Sequence, residues 1–158
     1  MRKFFIGLGV VFAVLIVAGG AGIFVLARKG AALDSASKAY TEQSVEAIAR
    51  DWDGGELWKR ASPGLRRVAT PEQIDRLFAS AKQSLGPLVT YAGSQGQAMM
   101  SYLNAHATVA ARYVAHGHFA HGDADLQISL IRIDGTWMIQ GFHIDAPALA
   151  HRVGTTES

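Results

Sequence analysis

The sequence predicts an α+β fold: an N-terminal transmembrane helix, then a domain of helices packed on a curved antiparallel sheet. Three features of the 158-residue chain predict it. Phe4 to Ala27 reads FFIGLGVVFAVLIVAGGAGIFVLA, without a charge or a strongly polar side chain. Between Leu33 and Leu85 apolar residues recur at helical spacing, and from Leu88 to Asp145 the period changes to two. Helices that precede a run of strands, rather than alternating with them, gather on one face of an antiparallel sheet.

At about 1.5 Å per residue, Phe4–Ala27 makes a helix roughly 36 Å long, enough to cross a bilayer with some tilt. A helix buried in a soluble core keeps a polar face, and this stretch has none. A cleaved signal peptide is the rival reading, but its apolar region usually runs about 7–15 residues. Arg2 and Lys3 precede the stretch and Arg28, Lys29 and Lys38 follow it, so the basic residues nearly tie across the membrane. The very short tail favours a signal-anchor, with the tail in the cytoplasm and the domain outside. Residues 1–29 are therefore read as tail and transmembrane anchor, 30–32 as a hinge, 33–150 as the folded domain and 151–158 as a frayed tail.

Apolar residues make up 49% of the chain, enough to build a core. Cysteine is absent, which excludes disulfides, thiolate metal sites, thiol catalysis and a lipid-modified cysteine. The formal net charge is +2, but Arg2, Lys3, Arg28 and Lys29 all flank the apolar stretch, and the remainder is slightly acidic. No basic stripe is left for a nucleic acid, so no nucleic-acid partner is expected. The membrane is the partner of residues 4–27.

Within the domain, Leu33, Ala36, Tyr40, Ser44, Ala47, Ile48 and Trp52 mark the stripe of a first helix through about Asp51, stopped by Asp53-Gly54-Gly55. A short helix over about Glu56–Ala61 ends at Ser62-Pro63-Gly64. Thr70-Pro71-Glu72-Gln73 is a capping box with proline at the first helical position. It opens a helix whose buried face is Ile74, Leu77, Phe78, Ala81 and Leu85, ended by Gly86-Pro87. Lys59, Arg60, Arg66 and Arg67 cluster near Trp58; such a cluster is more often a solvated face than a contact with anionic headgroups. Trp52 and Trp58 are read as core filling.

Strands are predicted over about 88–94, 97–103, 106–120, 123–133 and 136–145. The Asp134-Gly135 turn sets Ile133 against Thr136. Uninterrupted alternation then sets Leu130 against Ile139, Ile128 against Gly141 and Leu126 against His143. Leu126, Ile128, Leu130, Trp137 and Ile139 share the helix-covered face. A preceding hairpin that turns near His121-Gly122, with Phe119 opposite Ala124 and Gly117 opposite Leu126, adds Tyr113, Ala115, Gly117 and Phe119. On this register Tyr40, Tyr113, Trp137 and His143 are the polar-tipped candidates to line a pocket between helices and sheet. The outer face carries Arg112, Ser129 and an apolar set, Ile131, Met138, Phe142 and Ile144, of the kind that marks an interface.

The stretch HGHFAHG, His116 to Gly122, places three histidines in seven residues. Parity puts His116 and His118 on the outer face and His121 in a turn. A His-x-His pair projects both imidazoles the same way, and with Asp125 across the ladder it is the nearest approach to a zinc site. No fourth ligand and no supporting shell accompany it, so no metal is assigned.

Three stretches resemble the nuclear-transport-factor-2-like superfamily, a cone-shaped α+β fold, and within it small membrane-anchored or exported bacterial domains of unknown function. Leu57-Trp58-Lys59-Arg60-Ala61-Ser62-Pro63 looks like its turn after the first helix. Thr70-Pro71-Glu72-Gln73 through Leu85-Gly86-Pro87 looks like its third helix and stop. Asp134 to Ile144, DGTWMIQGFHI, looks like its closing strand. The likeness covers about residues 33–146 and is structural in kind. Some members are enzymes that hold an Asp base and Tyr or acid donors inside the cone. Here no carboxylate falls on the inner face of the registered strands, and His143 with Asp51 is the best pair available. No catalytic residue and no cofactor is assigned.

The expectation is a membrane-tethered, non-enzymatic interaction or scaffold domain, an accessory or assembly subunit of a membrane protein complex. Its partner is a protein or a second copy of the chain. The layout of anchor then cone domain resembles the larger inner-membrane scaffold subunits of type IV secretion systems. The location implied is the bacterial cytoplasmic (inner) membrane, single-pass, with the domain on the periplasmic or extracytoplasmic side. The alternative is a small-ligand binder or enzyme that uses the cavity of the cone.

Overall fold

The computed structural model describes residues 29–103 and 105–147. The membrane stretch Phe4–Ala27 and the tail 151–158 lie outside the described residues. Among the described residues, no helix is long and apolar enough to cross a membrane. The chain divides into two compact units between Leu33 and Asp34, and the second holds the sheet and the helices packed on it.

That second unit is α+β. The helix α1 runs over residues 29–49, and its part from Asp34 onward belongs to this unit with α2 (Gly54–Arg60), α3 (Pro63–Val68), α4 (Pro71–Leu85), β1 (Leu88–Leu103), β2 (His106–Phe119), β3 (Gly122–Ile133) and β4 (Thr136–Asp145). The four strands form one antiparallel meander in the order β1-β2-β3-β4. Residues 30–32, expected as a hinge, are helical. The helix α3 was not expected; Pro63 at its first turn and Ser62 as its cap start it.

From Asp34 onward the buried stripe of α1 is Ser37, Thr41, Ser44, Val45, Ile48 and Ala49. Hydropathy favours a neighbouring stripe, because three of these are hydroxyl residues. Their oxygens donate back along the helix: Ser37 to the Asp34 carbonyl, Thr41 to that of Ser37 and Ser44 to that of Tyr40. Satisfied in this way, small hydroxyl residues are buried at little cost and let a sheet approach closely. The helix ends at Trp52, whose φ of 53° lies in the left-handed region, and Asp53 N–H closes back on the Ile48 carbonyl at 3.0 Å. Packing fixes that unusual choice. The Trp52 ring stacks on Phe119 and meets Phe78 edge-on, and its indole N–H donates to the Gly86 carbonyl at 2.7 Å. Asp53 then caps α2.

The capping box at Thr70 forms as expected, with Gln73 returning to the Thr70 N–H. The buried face of α4 is Ile74, Phe78, Ala81 and Leu85; Leu77, expected beside them, is 43% exposed. Leu126, Ile128, Leu130 and Ile139 meet the helices from the sheet and are at most 1% exposed.

The β3–β4 turn places Asp134 and Gly135 at φ 49° and 80°, as a two-residue hairpin of this hand requires. Ile133 pairs with Thr136 and Leu130 with Ile139. Alternation then breaks: Ser129 faces Gly141, Ile128 faces Phe142 and Gln127 faces His143, so Gln140 is an extra residue in β4. The cause lies on the free edge of β4. Ser62 N–H bonds the Ile139 carbonyl at 2.9 Å, Ala61 bridges to Ile139, and the Ser62 hydroxyl donates to Gln140 Oε1 at 2.6 Å. That contact draws the Gln140 side chain toward the edge and reverses every later side chain.

Two other expectations change. Residues 88–103 form one strand rather than two, with irregularities next to Thr90 and Gly93. Gly96 sits opposite Tyr113 at an approach so close that a Cβ on it would meet the Arg112 carbonyl. It is a strand glycine, not a turn. The β2–β3 turn is the two-residue one, pairing Phe119 with Gly122 and Gly117 with Ala124. This register is two residues from the expected one, so parity is kept and Tyr113, Ala115, Gly117 and Phe119 are buried.

Candidate functional site

The expected inner pocket is not assembled by its four residues. Tyr113 is 3% exposed, and its hydroxyl lies 2.8 Å from Ser37 Oγ and 3.1 Å from the Asp34 carbonyl, so two hydroxyls and one carbonyl share two protons in a single cluster. It is a structural tie between β2 and α1. Asp34 makes a second tie, its carboxylate accepting the Ala98 N–H at 2.6 Å on β1. Trp137 is buried under the Arg132 guanidinium, which sits 5.9 Å from the ring centroid. Tyr40 is half-buried on α1, and desolvation raises its phenol pKa against the opposing charge of Arg60. His143 is the correction. The extra residue at Gln140 turns it to the outer face, where it is exposed opposite Gln127. No hydrogen bond or ion pair joins it to Asp51.

The same bulge corrects two interface candidates. Phe142 and Ile144 turn to the helix-covered face, Phe142 meeting Phe78 edge-on at 5.6 Å and Ile144 8% exposed. Ile131 and Met138 precede the bulge; they pair across β3–β4 on the outer face, half-buried. The ladder continues through Ala110 on β2 to Met99 on β1, which is 53% exposed.

Among the metal candidates, His116 and Asp125 pair at 2.6 Å, and His118 pairs with Asp123, also at 2.6 Å. Both pairs lie on the outer face, as parity predicts. Each imidazole Nδ1 takes its own carboxylate, so the three candidates do not converge. Among the described residues there is no group of three or more metal-ligating side chains.

Between the apolar ladder and the His/Asp end, the sheet holds a cavity of about 480 Å³ lined by Gln95, Gly96, Arg112, Tyr113, Val114, Gln127, Ile128 and Ser129, so Tyr113 is the one expected pocket residue that borders it. Register puts them side by side: Gln95, Val114, Gln127 and His143 make one cross-strand row, and Gln97, Arg112, Ser129 and Gly141 the next. The side chain of Arg112 makes no hydrogen bond or ion pair with any described residue. Sequence reading placed Arg112 and Ser129 on this face but attached no site to them. The available signal was polar residues alternating outward beside a strand glycine.

A smaller cleft of about 170 Å³ lies at Glu46, Arg50, Leu88, Val89 and Tyr91. The Tyr91 hydroxyl is buried beside it. Burial pushes the Tyr91 phenol up, against a side-chain hydrogen bond with Ser94 and with a smaller push from Glu42 and Glu46. The basic cluster is largely satisfied internally. Glu56 holds Lys59 and Arg60, and those hydrogen bonds lower its own pKa to about 2. Arg66 donates to the Ala61 and Trp58 carbonyls and lies over the Trp58 ring.

Neither a protein-family model nor a curated protein matches the chain.

Proposed function

We propose that this is a membrane-tethered, non-enzymatic interaction domain of the nuclear-transport-factor-2-like kind. Residues 4–27 hold it to the bacterial inner membrane, and it docks a protein partner extracytoplasmically on the outer face of its sheet. One observation carries this reading. The outer face presents an apolar cross-strand ladder, Met99, Ala110, Ile131 and Met138, beside a polar cavity, and no described helix covers it. Apolar patches rimmed by polar groups are the usual form of a docking surface. The alternative, a ligand site between helices and sheet, loses His143 to the other face and the Tyr113 hydroxyl to Ser37 and Asp34.

The test is site-specific photo-crosslinking of the full chain in cells. A photoreactive residue at Met99 or Met138 is expected to give discrete adducts. The same residue at Leu77 or Val68, exposed on α4 and α3, is expected to give none. An adduct at twice the mass of the chain identifies the partner as a second copy. Adducts from the helix positions alone would overturn the reading.

A further inference from the structure

We propose that the cavity at the centre of the outer face binds a carboxylate presented by the docked polypeptide, held by the guanidinium of Arg112. This rests on the docking reading above and names the chemistry at its centre.

The argument starts from an uncompensated charge. Arg60, Arg66, Arg76 and Arg132 each have a carboxylate or carbonyl acceptor. Arg112, like Arg50 and Arg67 outside the sheet, has none, but it alone of the three stands in the middle of the sheet, with Gln97 and Ser129 directly across on the two neighbouring strands. A guanidinium presents a planar fork of N–H donors that matches the two oxygens of a carboxylate in parallel bonds. Around it stand Gln95 and Gln127, whose amides both donate and accept, as a peptide flanking the carboxylate requires. Val114 supplies an apolar floor between them. Gly141, the last position of the Arg112 row, adds no side chain, so that side of the cavity stays open. The volume of about 480 Å³ is within the range that encloses a ligand group with its neighbours.

A phosphate fits poorly. Arg112 is the one lysine or arginine that the paired register puts on this face among the described residues, whereas Asp123, Asp125 and Asp145 stand at one end of it. A dianion calls for more than one cation, and a monoanion is matched by one. The apolar ladder begins at Ala110, two residues along β2 and roughly 7 Å from the Arg112 row. The complementary segment is therefore extended, with an apolar side chain near its carboxylate.

The probe is the full chain in detergent micelles, uniformly labelled with ¹⁵N and titrated with N-acetylglutamate and, separately, with the α-amide of N-acetylglutamine, which has no carboxylate. The Arg112 Nε resonance is expected to shift saturably with the acid and at least tenfold more weakly with the amide. Read at the backbone amides of Val114 and Gln127, which line the same cavity, Arg112→Lys is expected to weaken the acid about tenfold or more, and Arg112→Gln to abolish discrimination between acid and amide without lowering the melting temperature. N-acetylalanine and the α-amide of N-acetylglutamate then separate a chain terminus from an acidic side chain; tighter binding of either supports the proposal. Equal responses to acid and amide, or a response unchanged in Arg112→Gln, would overturn it. Photo-crosslinks at Met138 that persist at full yield in Arg112→Gln would leave the docking face standing and remove the carboxylate from it.

Discussion

Two glycines on the sheet have opposite meanings, and the difference decides how each tolerates a methyl group. Gly96 faces Tyr113, and a Cβ there would stand 1.9 Å from the Arg112 carbonyl and 2.8 Å from Tyr113 Cα. Both obstacles are backbone, so the strands themselves must part. Gly141 faces Ser129, and a Cβ there would meet the serine side chain at 3.7 Å, ordinary contact. Gly96→Ala is expected to destabilise the domain by about 1–3 kcal/mol, the usual range for overpacking. Gly141→Ala is expected to stay within about 0.5 kcal/mol of the parent, as for an uncrowded surface change. Denaturant unfolding of the two variants measures both. Equal costs would show that the close approach at Gly96 is not the constraint. The same Gly96 misled strand prediction. Next to Ser94 and Gln95 it has the composition of a turn, and only its cross-strand neighbour shows that it is an interior residue.

The elements were legible wherever local chemistry alone determines them. The Thr70 capping box, the Asp134-Gly135 hairpin and the alternation of β2 each depend on residues a few positions apart, and each forms as expected. What failed was parity beyond position 139. The bulge at Gln140 depends on Ser62, far away in sequence, so a count along β4 cannot find it. The sequence does carry a trace. Ile139, Phe142 and Ile144 cannot share one face under strict alternation, and three large apolar residues split across two faces signal an inserted residue. Tyr113 and Trp137 were placed on the correct face and His143 on the wrong one for this single reason. Ser62 is thus a joint: its hydroxyl accepts from Leu65 N–H at 3.1 Å to cap α3 and donates to Gln140 at 2.6 Å to hold the bulge. Ser62→Ala leaves the buried Leu65 donor without its acceptor and removes the Gln140 contact. The expected loss is about 2 kcal/mol, a cap plus one side-chain hydrogen bond. Ser62→Thr keeps the hydroxyl and is expected to recover most of it. A Ser62→Ala variant as stable as the parent would mean that the bulge is fixed by β4 itself.

At the scale of the whole molecule the separation of roles is by face. The inner face spends its polar groups internally, Tyr113 on Ser37 and Asp34, and Trp52 on Gly86. The outer face leaves Arg112 uncompensated beside an apolar ladder. A surface of that kind is useful only in the compartment that holds its partner, so the side of the membrane is part of the proposal. Flanking charges nearly tie across Phe4–Ala27, and the proposal places the domain on the extracytoplasmic side. The absence of cysteine makes this directly measurable. Thr136→Cys adds one thiol at the exposed start of β4, beside the hairpin turn and clear of Arg112. In cells whose outer membrane alone has been permeabilised, a membrane-impermeant maleimide is expected to label this thiol fully, without lysis of the inner membrane. Labelling that appears only after the inner membrane is broken would put the domain in the cytoplasm. The outer face would then have to meet a cytoplasmic partner, and the carboxylate that Arg112 awaits would be sought there.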